Sequence, residues 1–198
     1  MRAFISACIV GATCTAASSA GAGVKVGVRT THYEISGKTA EALVAAMDRK
    51  GPKHGFLTRA IAQTRYEVSW NLDFAEKDGN CRASKTGGEL SITYVYPKVS
   101  GALDGALAAR WNRFLSGVRK HEEVHGSIAR QMIAAAEKAI ARIKTTNDRG
   151  CSRIRREVTR KVNAVYAEYE ARQVHFDKVE HRDGGNVDKL LVNLLKTR

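Results

Sequence analysis

The stretch Arg119-Lys120-His121-Glu122-Glu123-Val124-His125-Gly126 decides how the chain is read. It contains the spacing H-E-x-x-H. Two histidines four residues apart stand one above the other on a single helical face, so both imidazoles can address one zinc ion. The glutamate between them projects to the side where an open coordination position and its water would lie. The flanks put this motif on a long helix with one face turned to a core. Trp111, Phe114, Leu115 and Val118 precede it, and Ile128, Ala129, Met132, Ala136, Ile140 and Ile143 follow it, all at three-and-four spacing. Carried across the gap, the rhythm lands on His121, Glu122 and His125. Buried ionisable groups need partners. A metal ion with an ordered water supplies one set. The competing arrangement is a pair of core histidines bonded to each other and to Glu122. Glu123 falls on another, solvated face. The motif in this setting predicts a zinc-dependent metallopeptidase.

Outward from the motif, the helix is expected from Ala102 to Thr145, broken by Asn147-Asp148-Arg149-Gly150. A second long helix starts near Ser152, with Ile154, Val158, Val162, Val165 and Tyr169 inward, and folds back on the first. Gly184-Gly185 closes it. A short amphipathic tail with Val187, Leu190, Leu191, Leu194 and Leu195 reads as a docking helix. On the other side, Tyr66, Val68, Trp70, Leu72 and Phe74 alternate with polar residues, as a half-buried strand does. Asp78-Gly79 turns the chain. After Gly87-Gly88 another strand carries Leu90, Ile92, Tyr94 and Tyr96 and ends at Pro97. Near the start, Val24, Val26 and Val28 alternate in one phase, and Tyr33 and Ile35 in the opposite phase. A bulge near Thr30-Thr31 would reconcile them. A short helix from Ala40 to Arg49, capped at Thr39 and stopped by Gly51-Pro52, precedes a loop with His54, Gly55 and Phe56. The expected class is α+β: a small antiparallel sheet of three to four strands on two long antiparallel helices, with a short helix and a C-terminal amphipathic helix.

Met1-Arg2, an apolar run from Ala3 to Ala17 and a small-residue end near Ala20-Gly21-Ala22 have the form of a secretory signal. Residues 1–22 are expected to be cleaved, leaving about 175 residues, enough for one domain, and placing the product in the periplasm or outside the cell. No later stretch predicts a transmembrane span. Cys8 and Cys14 leave with the signal, and Cys81 and Cys151 remain. An even pair in an exported chain predicts a disulfide. The net charge is +13. Much of it sits in Arg142, Lys144, Arg149, Arg153, Arg155, Arg156, Arg160 and Lys161. That reads first as a solvated face, and second as a surface for anionic envelope polymers or lipid heads. No aromatic interleaving supports nucleic acid as a partner.

Catalytic zinc takes three protein ligands and one open position. Beyond the motif the histidines are His32, His54, His175 and His181, with Glu168 and Glu170 as carboxylate candidates. Ile128 and Gln131 exclude an extended motif that carries its own third histidine. Spacing alone leaves the choice open. Several features together resemble a bacterial domain-of-unknown-function family of predicted secreted zinc-dependent proteases. They are Gly51-Pro52, Thr64 with Trp70, Cys81, Pro97, and Trp111 with Phe114 ahead of His121, over about residues 28–180. That family closes with Y-D-x-x-T-x-H-G. The corresponding stretch here is Tyr169-Glu170-Ala171-Arg172-Gln173-Val174-His175-Phe176. The resemblance implies a zincin-like metallopeptidase domain over 23–182, with 183–198 as its tail, and His175 as third zinc ligand.

The expected chemistry is hydrolysis of a peptide or protein substrate by zinc-activated water, with Glu122 as general base and proton shuttle. Tyr169 is a candidate oxyanion donor, against the commoner role of a core tyrosine. An extended substrate would add to a sheet edge. The alternatives are an exported metal- or envelope-binding protein without turnover, and an amidase acting on cell-wall peptides.

Overall fold

The computed structural model describes residues 23–54 and 58–196. The expected signal with Cys8 and Cys14, and the loop tip at Gly55 and Phe56, lie outside the described residues. The chain runs β1 (Lys25–Ile35), α1 (Ala40–Lys50), the short β2 (Lys53–His54) and β3 (Thr58–Arg59), β4 (Gln63–Lys77), β5 (Asn80–Val99), α2 (Gly105–Ala141), β6 (Lys144–Thr145), a 3-10 turn (Arg149–Cys151), α3 (Ser152–His181) and α4 (Asn186–Leu195). The class is α+β, with one four-stranded sheet beside long helices.

β5 is the central strand. Its inward residues Leu90, Ile92, Tyr94 and Tyr96 are buried, and it pairs β4 on one side and β1 on the other. The β4–β5 hairpin turns at Asp78-Gly79, both at positive φ (54° and 74°). Two positive φ values make the tight turn whose twist matches that of the strands, which is why Asp-Gly stands there. The strand does not start after Gly87-Gly88, as expected, but runs straight through them. A side chain at Gly88 would crowd the Trp70 ring and the Ile133 tip, so the glycine is there for close approach.

Antiparallel pairing holds for β4–β5 and for β5–β6. β1 differs: it runs parallel to β5 in unbroken register from Lys25↔Glu89 to Ile35↔Val99. The hairpin inserts its second strand beside β1, so the connection is a crossover through α1 rather than a turn. The bulge expected near Thr30-Thr31 is absent. The phase change has another cause. Tyr33 and Ile35 join the cluster containing Leu43 and Met47 of α1, while Val26 and Val28 lie on the edge strand and stay exposed. Residues 25–30 of β1 are therefore uncovered on both faces, and only its Tyr33–Ile35 end is packed.

The motif helix is shorter than expected, Gly105–Ala141. Beyond it Lys144–Thr145 form a two-residue strand against Cys81 and Arg82. Its buried stripe is Trp111, Phe114, Val118, Ala129, Met132, Ile133, Ala136 and Ile140. Asp104 caps its start, with the Asp104 carboxylate accepting from Leu107 N at 2.7 Å. α3 returns along it. Ile154, Val158 and Val162 share a second apolar cluster with Ile140, Cys81 and Cys151. Asp148 holds the corner: its carboxylate accepts from Arg153 N and Ile154 N at 2.9 and 2.8 Å, which caps α3. α4 packs back on α2 with Leu190 against Gly117 and Leu194 buried in the main core. Among the described residues no helix is long and apolar enough to cross a membrane.

The Cys81–Cys151 disulfide is present and closes a loop of 70 residues. In the loop-entropy account, a closure of that length stabilises by about 4 kcal/mol. A Cys81→Ala/Cys151→Ala variant is expected to lose up to about that much in urea unfolding. A loss near zero would mean the corner is held without the bridge.

Candidate metal centre

Three positions on the inward stripe of α2 are polar, and the structure gives each a partner on another element. His121 is 8% exposed and Glu122 is 5% exposed. Glu122 does not bond to the histidines. Its carboxylate accepts from the Thr64 hydroxyl, at the start of β4, at 2.6 Å. Burial pushes the Glu122 carboxyl above the ordinary carboxylate range. The Thr64 hydrogen bond and the neighbouring histidines pull the other way without cancelling it. The sheet meets α2 closely just past the motif. A side chain at Gly126 would collide with the Tyr94 hydroxyl, so this helical glycine lets the sheet approach.

The C-terminal third of α3 faces the two histidines. Gln173, Asp177 and His181 stand at i, i+4 and i+8, one stripe of the helix. Asp177 Oδ1 lies 2.9 Å from His125 Nε2 and 3.3 Å from His121 Nε2, and the two Nε2 atoms are 3.2 Å apart. Donors about 2.0–2.1 Å from one tetrahedral ion are about 3.3 Å from each other. The three separations are of the size that donors to one ion show. His181 Nε2 is 3.8 Å from the same carboxylate oxygen, and His121, Asp177 and His181 form an overlapping donor group.

Gln173 sets the His125 ring. Its amide N–H donates to the His125 carbonyl at 3.1 Å, which turns its amide oxygen toward His125 Nδ1 at 2.5 Å. An amide oxygen only accepts, so Nδ1 carries a proton; in the protonated ring Nε2–H also donates to Asp177 Oδ1, and in the neutral ring Nε2 is the nitrogen free to bind an ion. Phe176 stacks on His121 with centroids 4.8 Å apart, and meets His125 edge-on at 5.1 Å. His121 Nδ1 is buried with no hydrogen-bond partner, since Glu180 stays 3.7 Å away.

The electrostatics are those of a tight cluster. Burial alone would raise the Asp177 carboxyl, but hydrogen bonds and charge from His121 and His125 outweigh it and hold it well below the usual range. Burial works against charge on His125, yet the bonds to Asp177 and Gln173 leave its pKa raised. His181 is lowered, by burial first and by repulsion from His121 second. A cleft of about 660 Å³ opens over the group. Its walls are the segment from Ala60 to Thr64, Tyr66, and the α3 stripe, with Val118 and Val187 as an apolar floor.

Of the residues singled out from sequence, His121, Glu122 and His125 come together. His175 does not: it is exposed and stands outside both the donor group and the cleft. Two residues on a helix are about 200° of rotation, so His175 faces away from the stripe that holds Gln173 and Asp177. Asp177, two residues on, is the α3 side chain that lies beside both imidazoles. Tyr169 is also elsewhere, under the Arg172 guanidinium at 4.3 Å from its ring. Tyr66 is the tyrosine at the cleft, donating to Glu170 at 3.3 Å. Glu168 pairs with Arg172 at the surface. Stepping the helical phase of α3 from Val162 through Tyr166 to Gln173 and Asp177 is the sequence signal for the face turned to the two histidines.

Fold and site together define an α+β protein with a histidine–aspartate donor cluster on two packed helices. The chain belongs to a family of bacterial proteins of unknown function, DUF922, whose model matches residues 30–185. No curated protein and no solved structure matches the chain.

The geometry predicts a ranking. In a competition assay against a zinc chelator, Asp177→Ala should lose most of the affinity, Gln173→Leu about 10–100-fold, and His175→Ala almost none. A large loss in His175→Ala would reverse the assignment.

Proposed function

We propose that this chain is an exported zinc-dependent peptidase of zincin-like design. The observation that supports it most is the meeting of His121 Nε2, His125 Nε2 and Asp177 Oδ1 within 3.3 Å of one another, in the same cleft that Glu122 lines. Two imidazoles, one carboxylate and a nearby second carboxylate suit zinc, which takes nitrogen and oxygen donors and leaves one position open. Zinc bound there would polarise a substrate carbonyl and make water acidic enough to react near neutral pH.

The chain's own residues account for the rest. Glu122, with its carboxyl raised by burial, takes a proton from the attacking water and returns it to the leaving amine. Thr64 holds that carboxylate at one rotamer. Gln173 keeps the His125 proton on Nδ1. β4 is an edge of the four-stranded sheet, and the segment leading into it lines the cleft. An extended peptide could pair there as an added strand, which favours peptides over compact substrates. The apolar run at residues 3–17 and the disulfide agree with export.

A second reading has its own observation. His181, at 3.8 Å from Asp177 Oδ1, could serve as a fourth donor. That would close the site and make the chain a metal-binding protein without turnover.

Glu122→Gln separates these. In the peptidase reading it keeps the metal and loses about 10²–10⁴-fold in hydrolysis of a broad peptide mixture, cell-wall peptides included, while His181→Ala leaves metal affinity nearly unchanged. Absence of hydrolysis by the zinc-loaded wild type, with His181→Ala losing the metal, would establish the closed site.

A further inference from the structure

The far end of α3 carries a second feature that the metal centre does not use. Lys144, Thr145, Arg153, Arg156 and Arg160 line a depression of about 430 Å³, with Glu157 as the one acidic residue in its wall. From Arg153 to Asp177 is about 36 Å along the helix axis, so the two sites are separate.

The arrangement is unfavourable on its own terms. β6 pairs Lys144 directly with Arg82 of β5 in antiparallel register. Residues opposite each other in such a pair point to the same side, about 5 Å apart, and like charges there destabilise. Both are exposed, as are Arg153, Arg156 and Arg160. Arg160 is answered by Glu157 at 2.6 Å, and Arg153 donates to the Thr146 carbonyl at 2.9 Å. Among the described residues, Lys144, Arg82 and Arg156 have no carboxylate partner within 4.0 Å.

The corner is also held rigidly. Cys81 precedes Arg82, and its disulfide partner Cys151 stands two residues before Arg153. Asp148, buried at the same corner, spends its carboxylate on the Thr145 hydroxyl and two backbone N–H groups rather than on the arginines. The nearest buried carboxylate is thus committed to structure, and the cations are left facing outward. A solvated face needs neither a concave wall nor cations opposed across a ladder. A concave set of guanidinium and ammonium donors carried on a cross-linked corner suits a phosphate group, which accepts several charge-assisted hydrogen bonds at once.

We propose that this depression binds a phosphate-bearing anion and anchors the protein through it. The proposal does not rest on the peptidase reading, because no residue is shared with the metal centre.

The test uses the purified full chain with two probes at low and high salt: soluble tripolyphosphate by calorimetry, and vesicles of phosphatidylglycerol in phosphatidylcholine by co-sedimentation. Lys144→Glu/Arg156→Glu is compared with Arg113→Glu/Lys189→Glu, which changes net charge equally at exposed positions elsewhere. Lys144→Gln/Arg156→Gln serves as a milder pair should charge reversal disturb the corner. The wild type is expected to bind at least one probe, with affinity falling as salt rises. The depression variants should lose about tenfold or more, and the control pair far less. Vesicle binding alone would identify a lipid headgroup, and tripolyphosphate binding a free polyanion. Binding of neither probe, or equal losses in the depression and control pairs, would overturn the proposal.

Discussion

The structure turns on one oxygen atom. Asp177 Oδ1 reaches two imidazole nitrogens from a helix that has no sequence neighbour near them. Those imidazoles stand on the inward stripe of α2, where Trp111, Phe114 and Val118 above and Ala129 and Ile133 below are all buried. Ionisable groups in such a row cost several kcal/mol each, on the order of a whole domain's net stability, unless partners compensate them. Asp177 supplies negative charge, Thr64 supplies a donor to Glu122, and Gln173 saturates both the ring nitrogen and the carbonyl of His125. Two imidazole nitrogens and one carboxylate oxygen are thereby gathered at one point of the cleft, a donor set that supports the proposed metal site.

The scaffold exists to keep α2 and α3 in that relation. The returning helix is fixed at its start by the Cys81–Cys151 bridge and the Asp148 cap, and along its length by Trp70 Nε1–H donating to Tyr166 Oη at 2.7 Å. From there it is one rigid rod to Asp177. The sheet contributes the other wall. Tyr94 meets the backbone of Gly126 directly, so β5 and the motif turn sit at contact distance. The cleft lies between the motif turn of α2, the last turns of α3 and the segment from Arg59 to Tyr66, with Glu122 in its lining.

Much of this was legible in the residues, because much of it is local. The motif helix, the Thr39 cap, the Asp78-Gly79 turn and the alternating strand at Tyr66–Phe74 are short-range patterns, and each is present, the motif helix shorter at both ends than the pattern suggests. The disulfide followed from compartment and parity. Long-range choices were not legible. Nothing in β1 distinguishes a parallel partner from an antiparallel one, and Gly88, of a residue type that usually breaks a strand, is instead a space for Trp70 and Ile133. The third donor is a long-range choice too. The family-like stretch Tyr169–Phe176 points to His175, whereas the side chain beside the two imidazoles is Asp177, two positions on. Gln173 had no chemical label in the sequence at all. Its role appears only when its amide is seen between a ring nitrogen and a carbonyl.

The account is tested most directly by X-ray absorption at the zinc edge of the zinc-reconstituted chain. It predicts a first shell of nitrogen and oxygen only, at about 2.0–2.1 Å, with outer scattering from two imidazoles and no sulfur. A chain that retains no zinc would contradict it, and so would a shell without imidazole scattering or one with a further histidine in place of the carboxylate.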